Sequence, residues 1–320
     1  MFKRNTRKRG VKLAGVVLAL ILAVVPVMST AAAQPVNPPG YPTVFVGGFG
    51  SWGRYDGLYD VFPYWGMQNG DLADLLNAHG YACVVASVDP VASAWDRACE
   101  LYAQLTGTIV DYGAAHAAQH GHARFGKDYS ADPLMTDWGV PSRNGAPQKI
   151  NLVCHSFGGA TARLFVQLLK DGCAEERAVG GEVSGLFTGG KEHLVHSITT
   201  LASPHNGTTL TLLRDPASLF ASVPAARTDA AVGIAAIPAL LAYVRAVARV
   251  SLIFLNEDSS VYDLSPDGAA ALNAGLSACP NIYYFSVPTD ATKAQPFSAA
   301  RVPDPQRMEP IMWPMGLFMG

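Results

Sequence analysis

Hydrophobic and polar positions along this chain follow two rhythms. Short apolar runs recur at 43–50 ("TVFVGGFG"), 81–88 ("YACVVASV"), 149–154 ("KINLVC"), 196–204 ("HSITTLASP") and 281–287 ("NIYYFSV"). Between them, "GDLADLLNAHG" (70–80) and "GGATARLFVQLLKDG" (158–172) carry apolar residues at helical spacing and stop at a glycine. A further stretch from Ser93 is predicted to be mostly helical to about Tyr112. Near-continuous apolar strands alternating with helices predict an α/β domain whose mostly parallel sheet is covered on both faces.

Two segments depart from that rhythm. At the start, Lys3, Arg4, Arg7, Lys8, Arg9 and Lys12 precede an apolar run from Leu13 to Met28, followed by "STAAAQ". That order predicts a signal peptide over residues 1–33 and a secreted protein. Pro26 interrupts the run, which is shorter than the roughly 20 residues a membrane span needs, so no stable membrane anchor is expected. The second segment, 207–255, is rich in alanine and apolar residues, but Pro238, Arg245 and Arg249 argue against a span. Its composition fits a buried core helix or an apolar cap over a site.

Length and charge narrow the classes. The 320 residues suffice for one large domain, and a formal net charge of −2 without basic blocks beyond the first dozen residues argues against nucleic acid as a partner. Cys83, Cys99, Cys154, Cys173 and Cys279 form no C-x-x-C pair and no regular framework, though the spacing leaves room for a single bridge.

The sharpest chemical signal is "INLVCHSFGGATARLF" (150–165). A strand runs into Ser156 and a helix follows at once, the shape of the G-x-S-x-G nucleophile elbow with Cys154 at the first glycine position. Such a bend lifts a hydroxyl above the sheet, and the following helix start turns the N–H of Phe157 toward any oxyanion beside Ser156. The glycine loop "GGFG" after the first strand offers the second donor, the N–H of Phe49. The competing reading is an ordinary serine N-cap. Separately, His116, His120 and His122 crowd into "HAAQHGHARFG", with Asp96 upstream and Asp263 far downstream. Spacing leaves the pair open: His116 and His120 would share a helix face, while His116 and His122 require a turn at Gly121. Asn206-Gly-Thr208 matches a glycosylation sequon but reads as a turn.

Taken with "VGGFGSWGR", "NAHGY", "WDRACELYAQLTGTIVDYGAAHAAQHGHARFG", "CHSFGGATARL", "TTLASPHNGTTL" and "VYDLSPDGA", the sequence from about Tyr41 to about Ala299 resembles the secreted zinc-containing lipases of bacilli and staphylococci. The resemblance implies an α/β-hydrolase fold over 34–320, with a zinc-binding insertion at about 92–145 and a helical lid at about 207–255. It implies cleavage of triacylglycerols and simpler esters at oil–water interfaces, with Ser156 as nucleophile and the Phe49 and Phe157 amides as oxyanion donors. It also implies a structural zinc on Asp96, His116, His122 and Asp263, and a calcium site whose ligands lie mostly beyond this chain.

The triad acid and base are the open part. In this fold they follow the serine, acid before base. The histidines after Ser156 are His193, His196 and His205, and none matches the family's base. Asp290, after "NIYYFSV", is a weak candidate for the acid. The apolar ending "MEPIMWPMGLFMG" leads to the expectation that the C-terminal part of the fold, with acid and base, is missing. A non-catalytic lipid-binding relic, or an esterase or acyltransferase on the same scaffold, are the alternatives.

Overall fold

The computed structural model describes residues 40–141, 145–212, 256–297 and 300–308. The export segment and residues 213–255, which make up most of the expected lid, lie outside the described residues.

In chain order the main elements are β1 (Thr43–Val46), α1 (Leu72–Ala78), β2 (Cys83–Val85), α2 (Ala94–Thr106), β3 (Ile109–Asp111), α3 (Ala114–His120) and β4 (Phe125–Asp128). There follow β5 (Ile150–His155), α4 (Gly158–Asp171), α5 (Ala174–Val179), β6 (Val195–Leu201), α6 (Ser260–Leu264), α7 (Pro266–Ala274) and β7 (Tyr283–Val287). The last pair is β8 (Thr292–Ala294) and β9 (Arg301–Pro303). Five strands form one sheet in the order β2-β1-β5-β6-β7, every neighbouring pair parallel. Parallel neighbours need crossovers, and α1, α2 and α4 lie in them as the alternating pattern predicts.

β5 is the central strand. Ile150, Leu152 and Cys154 are fully buried on one face. Against them pack Ala162, Phe165, Val166 and Leu169 of α4, together with Leu101 and Leu105 of α2. Burying a side chain the size of Phe165 stabilises the fold by about 1.5–3 kcal/mol, so this layer holds α2 and α4 firmly against the strand carrying the site.

One sequence expectation is corrected here. The helix from Ser93 does not reach Tyr112: it ends at Thr106, because Gly107 adopts a left-handed φ of 64° and its N–H closes on Ala103 O. The apolar residues beyond become β3, which pairs antiparallel with β4 in a separate two-stranded sheet. The periodicity continued past the glycine but the backbone did not. All five cysteines are free thiols, with no bridge among them. Among the described residues no helix is long and apolar enough to cross a membrane.

Candidate active site and metal centre

Ser156 stands between β5 and α4 with φ 53°, a left-handed backbone that a side chain rarely adopts without compensating support. Two hydrogen bonds hold it: its N–H donates to Leu201 O of β6 at 2.9 Å, and its carbonyl accepts from Gly159 N–H at 3.1 Å. The bend requires small neighbours. A Cβ on Gly158 would lie 2.5 Å from Val46 O, and one on Gly159 would lie 2.7 Å from Ser203 Cβ. Across from the serine lies the glycine loop after β1. A Cβ on Gly48 would lie 2.7 Å from Ser156 Cβ and 3.1 Å from Ser156 Oγ, so the loop backbone rests directly against the hydroxyl-bearing side chain. Phe157 begins α4 as its fully buried N-cap residue, and Phe49 packs beside it in a small apolar cluster with Ala94 and Leu264.

The strand residues around the serine are held in fixed chemical states. Cys154 is fully buried, and burial pushes its thiol far above the usual range. His155 is lowered by burial and shares a 2.6 Å hydrogen bond between its Nδ1 and Tyr64 Oη. Tyr64 Oη in turn accepts the Gly48 N–H at 3.3 Å. His155 is therefore spoken for by Tyr64.

The later histidines sit elsewhere. His196 lies within β6 near its start, between the rings of Tyr41 and Tyr283. His205 faces Thr200 Oγ1 at 3.3 Å and lines a cavity of about 460 Å³ with Arg163 and Asn273. Asp290 is exposed, accepting from Thr292 and paired with Arg301 at 2.6 Å. Among the described residues no histidine hydrogen-bonds the Ser156 hydroxyl.

A second site gathers Asp96, His116, His122 and Asp258, whose ligand atoms all lie within 4.8 Å of one another. Some residues arrive by local devices and some by distant contacts. Ser93 caps α2 by accepting Asp96 N–H, which sets the first turn. Glu176 of α5, itself buried, accepts the N–H groups of Ala115 and His116 at 3.0 and 2.8 Å and so caps α3 from across the structure. Gly121 ends α3 in a left-handed turn, bringing His122 back beside His116. Ser260 grips Val91 O with both its N–H and its hydroxyl, which docks the segment carrying Asp258.

Here the sequence expectation is corrected at one ligand. Asp263 does not join the cluster: its Oδ2 accepts Ala94 N–H at 2.7 Å at the start of α2. Burial raises its carboxyl to about 7 despite that bond. Asp258, five residues upstream, takes the place expected of Asp263. The structure separates them because Ser259 is the N-cap of α6, leaving Asp258 outside the helix and Asp263 within its first turn. The sequence holds a signal for Asp258, an acidic residue just before a Ser-Ser helix start. His120 is also near His116, with ring centroids 4.5 Å apart, but it is not among the four converging ligands.

The donor set fits a divalent cation. His116 Nε2 is 3.3 Å from Asp96 Oδ1 and 3.4 Å from Asp258 Oδ1, and His122 Nε2 is 3.3 Å from Asp258 Oδ2. Ligands about 2.0–2.1 Å from a tetrahedral zinc stand about 3.3–3.4 Å apart along an edge. Asp96 Oδ1, His116 Nε2, His122 Nε2 and Asp258 Oδ1 are buried atoms without a hydrogen-bond partner, all aimed at the same point. His122 Nδ1 lies 2.9 Å from Ala123 O, which fixes the tautomer that leaves Nε2 as a lone-pair donor. Trp95 stacks on His116 at 4.9 Å. Burial alone would lower His116, but the two carboxylates outweigh it and hold it up at about 9.

A parallel sheet whose central strand turns through a strained residue into a helix, beside a glycine loop from the neighbouring strand, defines the α/β-hydrolase class. Residues 39–218 match the family described as "Lipase-like, C-terminal domain", and the chain belongs to that family. It is 39% identical over 274 residues to lipase 2 of Staphylococcus aureus, covering 78% of this chain and 38% of that protein. The chain thus spans well under half the length of the curated relatives it matches. Among solved structures, EstA from Clostridium botulinum is 35% identical with a TM-score of 0.73, covering 90% of this chain and 69% of that one. The Staphylococcus hyicus lipase is 31% identical with a TM-score of 0.69, covering 90% and 77%.

Proposed function

We propose that this chain is that of a secreted lipase that hydrolyses carboxylic esters, triacylglycerols among them, through an acyl-enzyme on Ser156. The observation that carries this reading is the strained Ser156 at the head of α4, pressed against Gly48. An N-cap serine ordinarily has an extended backbone, so a φ of 53° has no purpose for capping alone. In the reaction Ser156 Oγ gives its proton to a general base as it adds to the ester carbonyl, and the base returns that proton to the departing alcohol. The negative oxygen is held by the N–H groups of Phe49 and Phe157, the alcohol leaves, and water releases the acid. The names of the relatives support lipid esters as the substrate class.

With this reading go a removed export segment at 1–33, a hydrolase domain at 34–320, a metal-binding insertion at about 92–145 and an apolar lid at about 207–255. The cation proposed for Asp96, His116, His122 and Asp258 is zinc. Two carboxylates and two imidazoles neutralise its charge; three donor–donor distances of 3.3–3.4 Å match a tetrahedral zinc edge, while His122 Nε2 to Asp96 Oδ1, at 4.0 Å, is longer. Its role is structural: it ties α2, α3 and the segment before α6 together.

The test is hydrolysis of tributyrin and of p-nitrophenyl butyrate and palmitate by the full chain, against a Ser156→Ala control. Turnover that vanishes in the control supports the proposal. Binding to lipid emulsions without turnover in either protein supports a lipid-binding module instead and contradicts it.

A further inference from the structure

We propose that Arg97 is the positioning residue for the oxyanion pocket, orienting the peptide unit that carries the Phe49 donor and packing beneath the Phe157 residue that carries the other. This inference rests on the assignment of those donors to Phe49 and Phe157. Arg97 is fully buried in the first turn of α2. It spends its fork on neutral acceptors: Nη1 donates to Gly48 O at 3.1 Å and Asp89 O at 2.8 Å, Nη2 to Gly47 O at 2.5 Å, and Nε to Thr161 Oγ1 at 3.1 Å. Among the described residues no carboxylate hydrogen-bonds this buried guanidinium, and burying it is costly, so the arrangement calls for a purpose beyond packing.

The peptide plane supplies that purpose. Gly48 C=O and Phe49 N–H belong to one trans peptide, so they point in opposite directions. Holding Gly48 O against the guanidinium therefore turns the Phe49 N–H away from α2. Tyr64 Oη holds the preceding Gly48 N–H, so neither peptide unit of the loop can rotate alone. The same guanidinium lies over the Phe157 ring at 5.0 Å. Thr161 Oγ1, which accepts from Arg97 Nε, donates its own O–H to Phe157 O at 3.3 Å. One side chain thus touches the peptide unit before one donor, and the ring and, through Thr161, the carbonyl of the other. A lysine here keeps the charge but reaches these acceptors with a single ammonium, losing the planar fork.

The experiment compares the parent chain with Arg97→Lys and Thr161→Val. Arg97→Lys should lower kcat for p-nitrophenyl butyrate by about 10- to 100-fold, short of the roughly 100- to 1000-fold lost when a donor is deleted outright. KM should stay within about threefold, and an alkyl boronic acid, a tetrahedral mimic, should lose affinity in parallel with kcat. An ether analogue of the substrate should bind as before. Hydrogen exchange at Gly48 and Phe49 should speed up while the α4 amides keep their protection. Thr161→Val, which releases only Nε, should shift the same readings less, and it covers the case in which Arg97→Lys does not fold. Parent-like kcat, boronate affinity and loop exchange in whichever variant folds overturn the proposal, as does a rise in KM with kcat unchanged. If the parent neither turns over esters nor binds boronate, the catalytic reading fails by itself. Loop exchange then still decides the Arg97 clamp, and unchanged exchange overturns it.

Discussion

The serine elbow and the metal cluster lie on the same layer of helices, yet they are built in opposite ways. The elbow's residues are contiguous: β5, Ser156 and α4 run through a single stretch of chain, packed against Val46, Gly48 and Leu201 of the neighbouring strands and loop. The metal cluster draws Asp96, His116, His122 and Asp258 from three separate segments, two of which are docked by distant contacts, Glu176 on α3 and Ser260 on Val91. A contiguous site fails on a misplaced atom. A distributed site tolerates local change and fails when one docking contact goes.

That contrast can be broken from either side. The largest effect belongs to the elbow. Ser156→Ala should remove ester turnover by about a million-fold in a complete hydrolase, while leaving bound metal and Tm unchanged. Next comes the cluster. Asp258→Asn should take zinc stoichiometry, read by atomic emission, from near one to near zero, and lower Tm. Asp263→Asn should keep the metal and cost only the capping contact to Ala94, about 0.5–2 kcal/mol. Equal metal loss in both variants would return Asp263 to the ligand set. A smaller effect tests the sterics of the bend. Gly158→Ala puts a Cβ 2.5 Å from Val46 O and should destabilise by about 1–3 kcal/mol in chemical denaturation, with metal retained.

A further effect is a pH slope from Glu100 of α2. Burial, then the charge of Asp89, raises Glu100 from 4.5 to about 8. The folded chain therefore keeps a proton that the unfolded chain has released. Stability is full below the unfolded value and falls as pH rises from about 4.5 to about 8, by at most about 1.4 kcal/mol per pH unit. Glu100→Gln should flatten a plot of Tm against pH across that window. An unchanged slope would mean the carboxyl titrates normally.

The same contrast explains what was legible beforehand. The parallel sheet, the elbow and the glycine loop could be read because each is encoded in neighbouring residues, where strand, turn and helix signals are strongest. His116 and His122 were selected by resemblance, and Gly121 supplies the turn their pairing needs. Asp258 could not be chosen over Asp263, since only the docking of α6 on Val91 decides which of the two faces the histidines. Arg97 gave no pattern at all: an arginine in an amphipathic helix reads as surface, and its burial is a tertiary fact. The helix overrun past Gly107 came from trusting periodicity over a stop residue.

The most direct test of the central claim is covalent. The full chain, incubated with a small neutral fluorophosphonate in the presence of a lipid emulsion, should gain one adduct by intact mass. Peptide mapping should place that adduct on Ser156, and it should be absent in Ser156→Ala. No adduct on the folded parent, or an adduct on another residue that survives in Ser156→Ala, would contradict the account.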